Sequence, residues 1–244
     1  MATKTVTRLE TDYLVVGCGA MAIAFVDELL NASSQYGNNH KSEFIMIDKH
    51  AKPGGHWNDA YEFVTLHQPA AFYGVNSKHL GEGGGDLVSK AQILAYFELV
   101  LKNFVASGRV KLFSLCEYVG GKRFVSLVDK DLEYEVVVRK KIVDATYMDV
   151  QVPSITKPKF EIHPEVNLLP VNGIAKLHAP WDKYIILGAG KTGIDAVLFL
   201  MNQNVSAERI IWIMPNDAWF LKRDTIQPDT IGTTQMITQN TVLR

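Results

Sequence analysis

Apolar residues in this chain gather into short runs, and two of those runs pass through glycine turns straight into a helical repeat. Tyr13–Val16 leads into Gly17-Cys18-Gly19, after which Met21, Phe25, Leu29 and Leu30 recur at the spacing of one helix face. Tyr184–Leu187 repeats the arrangement. It runs into Gly188-Ala189-Gly190-Lys191-Thr192-Gly193, followed by Ile194, Val197, Leu198 and Met201. Phe44–Ile47 reads as a buried strand ending at Asp48, and Ile210–Met214 as a strand after the second helix. Ser89 and Gln92 form a capping box ahead of the stripe Ile93, Leu94, Phe97, Val100, Leu101 and Phe104. Arg109–Ser114, Arg123–Val128 and Glu133–Val138 read as an antiparallel meander, with Lys141–Thr146 a further strand.

The remaining stretches are polar or irregular. Residues 1–11 are expected to fray, and 31–41 and 81–86 to form loops. Five of the nine prolines lie between Pro153 and Pro180, which marks a connection. Residues 224–244 carry no core pattern. The pattern predicts an α/β chain with two Rossmann-type dinucleotide-binding units and a small antiparallel β-meander. Residues 1–165 form the first unit, 166–182 a linker, and 183–244 the opening βαβ portion of the second.

Composition narrows the function classes. The 244 residues are 47% hydrophobic with a formal net charge of −1, so a folded core is expected and a nucleic-acid partner is not. The basic trio Arg139-Lys140-Lys141 reads as the end of a solvated strand. Two cysteines without a C-x-x-C spacing cannot make a disulfide framework and argue against a thiol–disulfide reductase, and they suit a reducing, cytoplasmic setting. No metal-ligand spacing is present. The N-terminus has no long apolar stretch, and the run from Tyr13 is broken by Asp27 and Glu28, so neither a leader nor a membrane span is expected.

The chemistry lies in the turns. Gly17 permits a sharp bend, Gly19 lacks a Cβ where a pyrophosphate must approach, and Ala22 is small enough for close helix–strand packing. The helix N-terminus behind them offers free N–H groups and a positive dipole end. Asp48, about 30 residues past the first glycine, can accept the hydroxyls of an adenosine ribose. Gly54-Gly55-His56-Trp57 lets the backbone pass close to a ligand beside a broad aromatic surface. Gly188, Gly190 and Gly193, with Thr192 among them, complete a second fingerprint whose glycine spacing is not that of a Walker loop.

Gly17-x-Gly19-x-x-Ala22, then Asp48, then Gly54-Gly55-x-Trp57 resembles the FAD-binding start of flavin-dependent monooxygenases of the flavin-containing, Baeyer–Villiger and N-hydroxylating group. The resemblance implies that the first turn holds the FAD pyrophosphate, that Asp48 holds the ribose, and that Gly54, Gly55 and Trp57 lie along the cofactor. It implies that Gln68, in Leu66-His67-Gln68-Pro69, reaches toward the flavin where the family often has Asn. Ala145-Thr146 is similar to the family's Ala-Thr-Gly, with Tyr147 in place of Gly. Gly173 and His178–Asp182 loosely echo a Baeyer–Villiger signature. The second turn would bind NADPH, with Lys222 and Arg223 available to a 2′-phosphate. Asp217 is the contrary sign, and NAD the alternative.

The function implied is an FAD- and NAD(P)H-dependent oxidoreductase, monooxygenase-like, acting on a small molecule. No residue stands out as its catalytic acid or base. The resemblance spans the N-terminal half or so of a typical family member. The chain is expected to be truncated at its C-terminus and to expose a sheet edge that invites a homodimer. Two readings stay open beside it: a truncated non-catalytic FAD/NADP-binding protein, and a flavin-dependent dehydrogenase or reductase without oxygen insertion.

Overall fold

The computed structural model describes residues 5–35, 41–82, 87–146, 156–177, 181–216, 219–221 and 242–243. The chain groups into two compact units, Met1–Asp59 with Gln68–Asp149, and Ala60–His67 with Val150–Arg244.

The first unit is built on six strands: β1 (Thr5–Val16), β2 (Phe44–Asp48), β5 (Val110–Ser114), β6 (Cys116–Gly120), β7 (Arg123–Ser126) and β8 (Leu132–Asp144), in the order β5-β2-β1-β8-β7-β6. β1, β2, β5 and β8 run parallel where they pair, and β6, β7 and β8 are joined antiparallel. A minor hairpin, β3 (Gly74–Val75) with β4 (Lys78–His79), precedes helix α2. β2 is buried along its whole length, as a strand covered on both faces should be. Helices α1 (Ala20–Gln35) and α2 (Lys90–Ala106) supply the crossovers. α2 opens on the predicted capping box and buries Ile93, Phe97, Val100, Leu101 and Phe104. A core of Leu14, Ile45, Ile47, Cys116, Phe124 and Val136 carries an aromatic cluster in which Phe124 stacks on Tyr134 at 4.5 Å. The corner from β5 to β6 is Leu115, at φ 51°, whose N–H donates to the His50 carbonyl and whose carbonyl accepts the Leu127 N–H.

Four expectations are corrected here. Residues 5–11 do not fray. They form the first half of β1 and pair with Leu132–Val138, held by ladder hydrogen bonds and by Leu9, which packs on the core beside Val136, while the Arg8–Glu135 ion pair lies exposed. Arg109–Ser114 contributes β5 to the parallel sheet, next to β2, and the meander is instead β6-β7-β8. Glu133–Val138 and Lys141–Thr146 are not two strands, because β8 runs unbroken between them. Arg139 therefore stands mid-strand, beside the register shift at Thr11/Tyr13, and bridges Glu10, Asp12 and Glu43 at 2.7–2.9 Å. Finally, α1 buries Ala22, Ile23, Val26 and Leu30, while Met21 is 71% exposed. The helix is rotated so that Ala22, not Met21, meets the sheet.

In the second unit, β9 (Tyr184–Leu187) and β10 (Ile210–Ile213) pair parallel around helix α4 (Lys191–Asn202). The short helix α3 (Val171–Ile174) is the regular element of the described proline-rich stretch. Ile174, Ala196 and Leu200 form the core, with Phe63, Tyr184, Ile186, Phe199 and Ile210 packed on it. Phe63 arrives on the segment 60–67 and stacks on Phe199 at 4.1 Å. The opposite face of the strand pair carries Ile185, Leu187, Ile211 and Ile213, each 42–57% exposed. Phe220–Leu221 (β11) pairs antiparallel with Val242–Leu243 (β12). No described helix is long and apolar enough to cross a membrane.

Candidate functional site

The first glycine turn joins β1 to α1. Gly17 sits at φ 97°, a conformation that L side chains rarely adopt, and its N–H donates to the Ile47 carbonyl at 2.8 Å. A Cβ added to it would meet Thr146 Cγ2 at 3.0 Å, so the end of the chain after β8 closes on this turn. Ala145 is tied to the same place, its N–H donating to the Val16 carbonyl at 2.9 Å. Tyr147 lies outside the described residues.

The second loop of this unit, Gly54-Gly55, lies directly on the first. The Gly54 N–H donates to the Cys18 carbonyl at 2.8 Å, and a Cβ on Gly19 would stand 3.4 Å from the Gly55 Cα. Both Gly54 (φ 132°) and Gly55 (φ 53°) hold positive φ. Trp57 is turned into the protein, 7% exposed, and its indole N–H donates to the Tyr73 hydroxyl at 2.6 Å.

Asp48 completes the cluster. Its Oδ2 accepts the Cys18 N–H at 2.5 Å, and its Oδ1 accepts the His50 N–H at 2.8 Å. His50 Nδ1 is also 2.8 Å from Oδ1, while His50 Nε2 is 2.9 Å from Asp59 Oδ2. Burial, with the Asp48 charge adding to it, pushes the Cys18 thiol up to about 12. Burial likewise lowers His56, with Asp59 opposing. Gln68 is half-buried at the point where the chain re-enters the first unit.

In the second unit, Gly188 (φ 118°) turns the chain out of β9, its N–H on the Ile213 carbonyl and its carbonyl on the Trp212 indole N–H. Gly190 caps α4, and a Cβ built on it meets nothing within 4 Å. Gly193 is the tight one: a Cβ there would stand 2.5 Å from the Gly188 carbonyl oxygen. Lys191 pairs with Asp195, which also accepts the Tyr61 hydroxyl at 2.6 Å. Burial first, then Asp195, raises the Tyr61 phenol above its ordinary range. Thr192 is exposed and hydrogen-bonds Tyr61. Asp217, Lys222 and Arg223 lie outside the described residues, as does His178.

The structure thus gathers Gly17, Gly19, Asp48, Gly54 and Gly55 at one turn, and Gly188, Gly190, Thr192 and Gly193 at another. Sequence reasoning missed His50, Asp59, Tyr61 and Asp195. No motif spacing marks them: Tyr61 meets Asp195 only through the fold, and the local spacings, His50 two residues past Asp48 and Asp195 four past Lys191, belong to no nucleotide fingerprint. Among the described residues no group of three or more His, Cys, Asp or Glu side chains could hold a metal ion.

A dinucleotide fits these residues on two grounds. Open space at Gly190 leaves the N-terminus of α4 approachable by phosphate oxygens. Asp48 has one acceptor position left on Oδ2 after its three protein contacts, enough for a ribose hydroxyl.

No family model matches the chain. It is 42% identical over 231 residues to uncharacterized proteins of Mycobacterium tuberculosis and Mycobacterium bovis. The match takes in 90% of this chain and 41% of each relative, so the chain spans about two fifths of their length. Among solved structures it is similar to a flavin monooxygenase from Stenotrophomonas maltophilia, with a TM-score of 0.57 at 18% identity, covering 86% of this chain and 58% of that one. Over the part it spans, the chain has the fold of a flavin monooxygenase.

Proposed function

We propose that this chain is the nucleotide-binding part of an FAD- and NAD(P)H-dependent oxidoreductase of the monooxygenase type. The observation that carries the reading is the pair of strand–glycine turn–helix cradles, each in its own unit, the first locked to the Gly54-Gly55 loop and to Asp48. The fold shared with a flavin monooxygenase supports it.

In this reading FAD supplies the electron and oxygen chemistry, and NADPH the reducing equivalents. The protein binds and orients. The N–H groups at the start of α1 and the dipole of that helix face the FAD pyrophosphate. The free Oδ2 position of Asp48 accepts a ribose hydroxyl, fixing the adenosine end. Gly188–Gly193 and the start of α4 hold the second dinucleotide, with Lys222 and Arg223 on a 2′-phosphate. The substrate is a small molecule, and the protein works in the cytoplasm.

The test is the visible spectrum of the purified protein supplied with FAD. Bound flavin bands that bleach on addition of NADPH are expected. Flavin that binds without bleaching points to a nucleotide-binding protein with no turnover of its own, and a protein that takes up no flavin overturns the proposal.

A further inference from the structure

The residue that the glycine motifs leave unexplained is His50. It follows β2 by two positions, and its side chain is 18% exposed. Its imidazole lies between two carboxylates: Nδ1 is 2.8 Å from Asp48 Oδ1, and Nε2 is 2.9 Å from Asp59 Oδ2. Its backbone is fixed as well, the N–H donating to the same Asp48 oxygen at 2.8 Å and the carbonyl accepting the Leu115 N–H at 3.1 Å.

The arrangement has a direct effect on Asp48. A carboxylate offers about four acceptor positions. His50 occupies two on Oδ1, through its backbone and its ring, and the Cys18 N–H occupies one on Oδ2. The carboxylate can then turn neither oxygen toward solvent, and the single open position is fixed on Oδ2, next to the turn at Cys18. On its other side the ring holds Asp59, at the end of the loop that begins with Gly54-Gly55. With both ring nitrogens protonated, acid, loop and glycine turn are fastened together by one side chain. A fastening of this kind is what a rigid ribose acceptor requires, because an acceptor that must first be oriented gives up affinity to its own ordering.

We propose that His50 is a positioning residue for the adenosine-ribose acceptor Asp48, acting through its contacts to Asp48 and Asp59. The inference rests on the reading of this turn as the FAD site. His50 itself does not touch the cofactor.

The experiment measures FAD affinity of the full chain by flavin fluorescence, alongside circular dichroism and thermal melting of the protein without FAD. FAD and an FAD analogue lacking both hydroxyls on the adenosine ribose are compared on wild type, Asp48→Asn, His50→Ala, His50→Asn and Asp59→Ala. His50→Ala is expected to weaken FAD about tenfold to a hundredfold, the range for loss of a hydrogen bond to a charged group. His50→Asn, whose amide N–H can reach Asp48, recovers most of that loss, and Asp59→Ala shows a smaller loss. With the dideoxy analogue the differences collapse, because the ribose contact being positioned is gone.

If His50→Ala binds FAD like wild type while Asp48→Asn does not, the positioning role is overturned and the FAD site stands. Losses that persist undiminished with the analogue make His50 a purely structural residue and also overturn it. Should His50→Ala fail to fold, Asp59→Ala carries the same comparison. Wild-type affinity in Asp48→Asn, or no FAD binding at all, overturns the underlying site reading instead.

Discussion

Gly19 and Gly55 stand so close that a Cβ built on Gly55 would lie 3.0 Å from the Gly19 Cα. Gly55 is required by the Gly19 backbone, whereas a Cβ on Gly19 would reach Gly55 at an ordinary 3.4 Å. Gly55→Ala meets this contact and also a φ of 53°, and no flexible side chain can yield to it. We expect it to destabilise the protein by about 1–3 kcal/mol and to weaken FAD binding. Gly54→Ala meets the Leu94 side chain, which can move, but its φ of 132° is closed to L side chains, so it is expected to destabilise at least as much. Thermal melts of both variants, with and without FAD, check this.

The second turn separates binding from packing more cleanly. Gly190→Ala enters open space at a helix N-cap with φ −75°, so the fold should lose only the roughly 0.5–1 kcal/mol by which Ala is the poorer N-cap, while NAD(P)H binding weakens. Gly193→Ala drives a methyl against the Gly188 carbonyl, and a loss of about 1–3 kcal/mol is expected. Calorimetric titration beside thermal denaturation separates the two. A Gly190→Ala protein that binds NADPH as wild type does would remove phosphate from this turn.

Nucleotide choice should favour NADPH. β10 ends at Ile213 and Met214 without an acid, and Lys222 and Arg223 follow in sequence. Replacing both by Ala should weaken NADPH and leave NADH unchanged. Tighter NADH binding in the wild type reverses the preference.

Tyr61→Phe removes the donor to Asp195 and leaves that carboxylate with Lys191 and a lost partner. A cost of about 1–2 kcal/mol is expected in the second unit. Urea titration followed by tryptophan fluorescence, with Trp181, Trp212 and Trp219 in the second unit, would register it.

Alkaline conditions should erode stability through Cys18. Its folded pKa is raised from about 9 to about 12, so the native state keeps a proton that the unfolded state releases. The stabilisation is whole below pH 9 and is lost as pH rises through 12, at no more than about 1.4 kcal/mol per pH unit. Cys18→Ala should flatten that part of the profile. In the native protein at pH 8.5 the thiol should resist iodoacetamide, as a buried protonated sulfur does.

The glycine turns, Asp48 and the α2 stripe were legible in the sequence because each is a local pattern: a spacing, a strand end, a repeat of 3.6. The capping box of Ser89 and Gln92 is seen as the spacing predicted. What was illegible depends on pairing over distance. The first half of β1 is polar, and nothing in Thr5–Thr11 announces that Leu132–Val138 will lie beside it. Arg109–Ser114 looks like a meander strand because β-propensity carries no record of which neighbour a strand takes. Met21 fits the helical repeat as well as Ala22 does, and only the closeness of helix to sheet chooses between them. His50 is silent for another reason: it lies two residues past Asp48 and nine before Asp59, and those spacings carry no motif.

The segment 60–67 leaves the first unit and lays Phe63 and Tyr61 on α4 before the chain returns at Gln68. The second unit is therefore discontinuous in sequence, and the chain has no single cut that yields two whole halves. A fragment beginning at residue 150 would present Phe199 and Asp195 without their cover. It should dissolve poorly, and a synthetic peptide carrying residues 60–67, added in trans, should bind it and raise its melting point. Any recombination that swaps the C-terminal piece for one from another protein inherits the same obligation: the eight residues far upstream must travel with it.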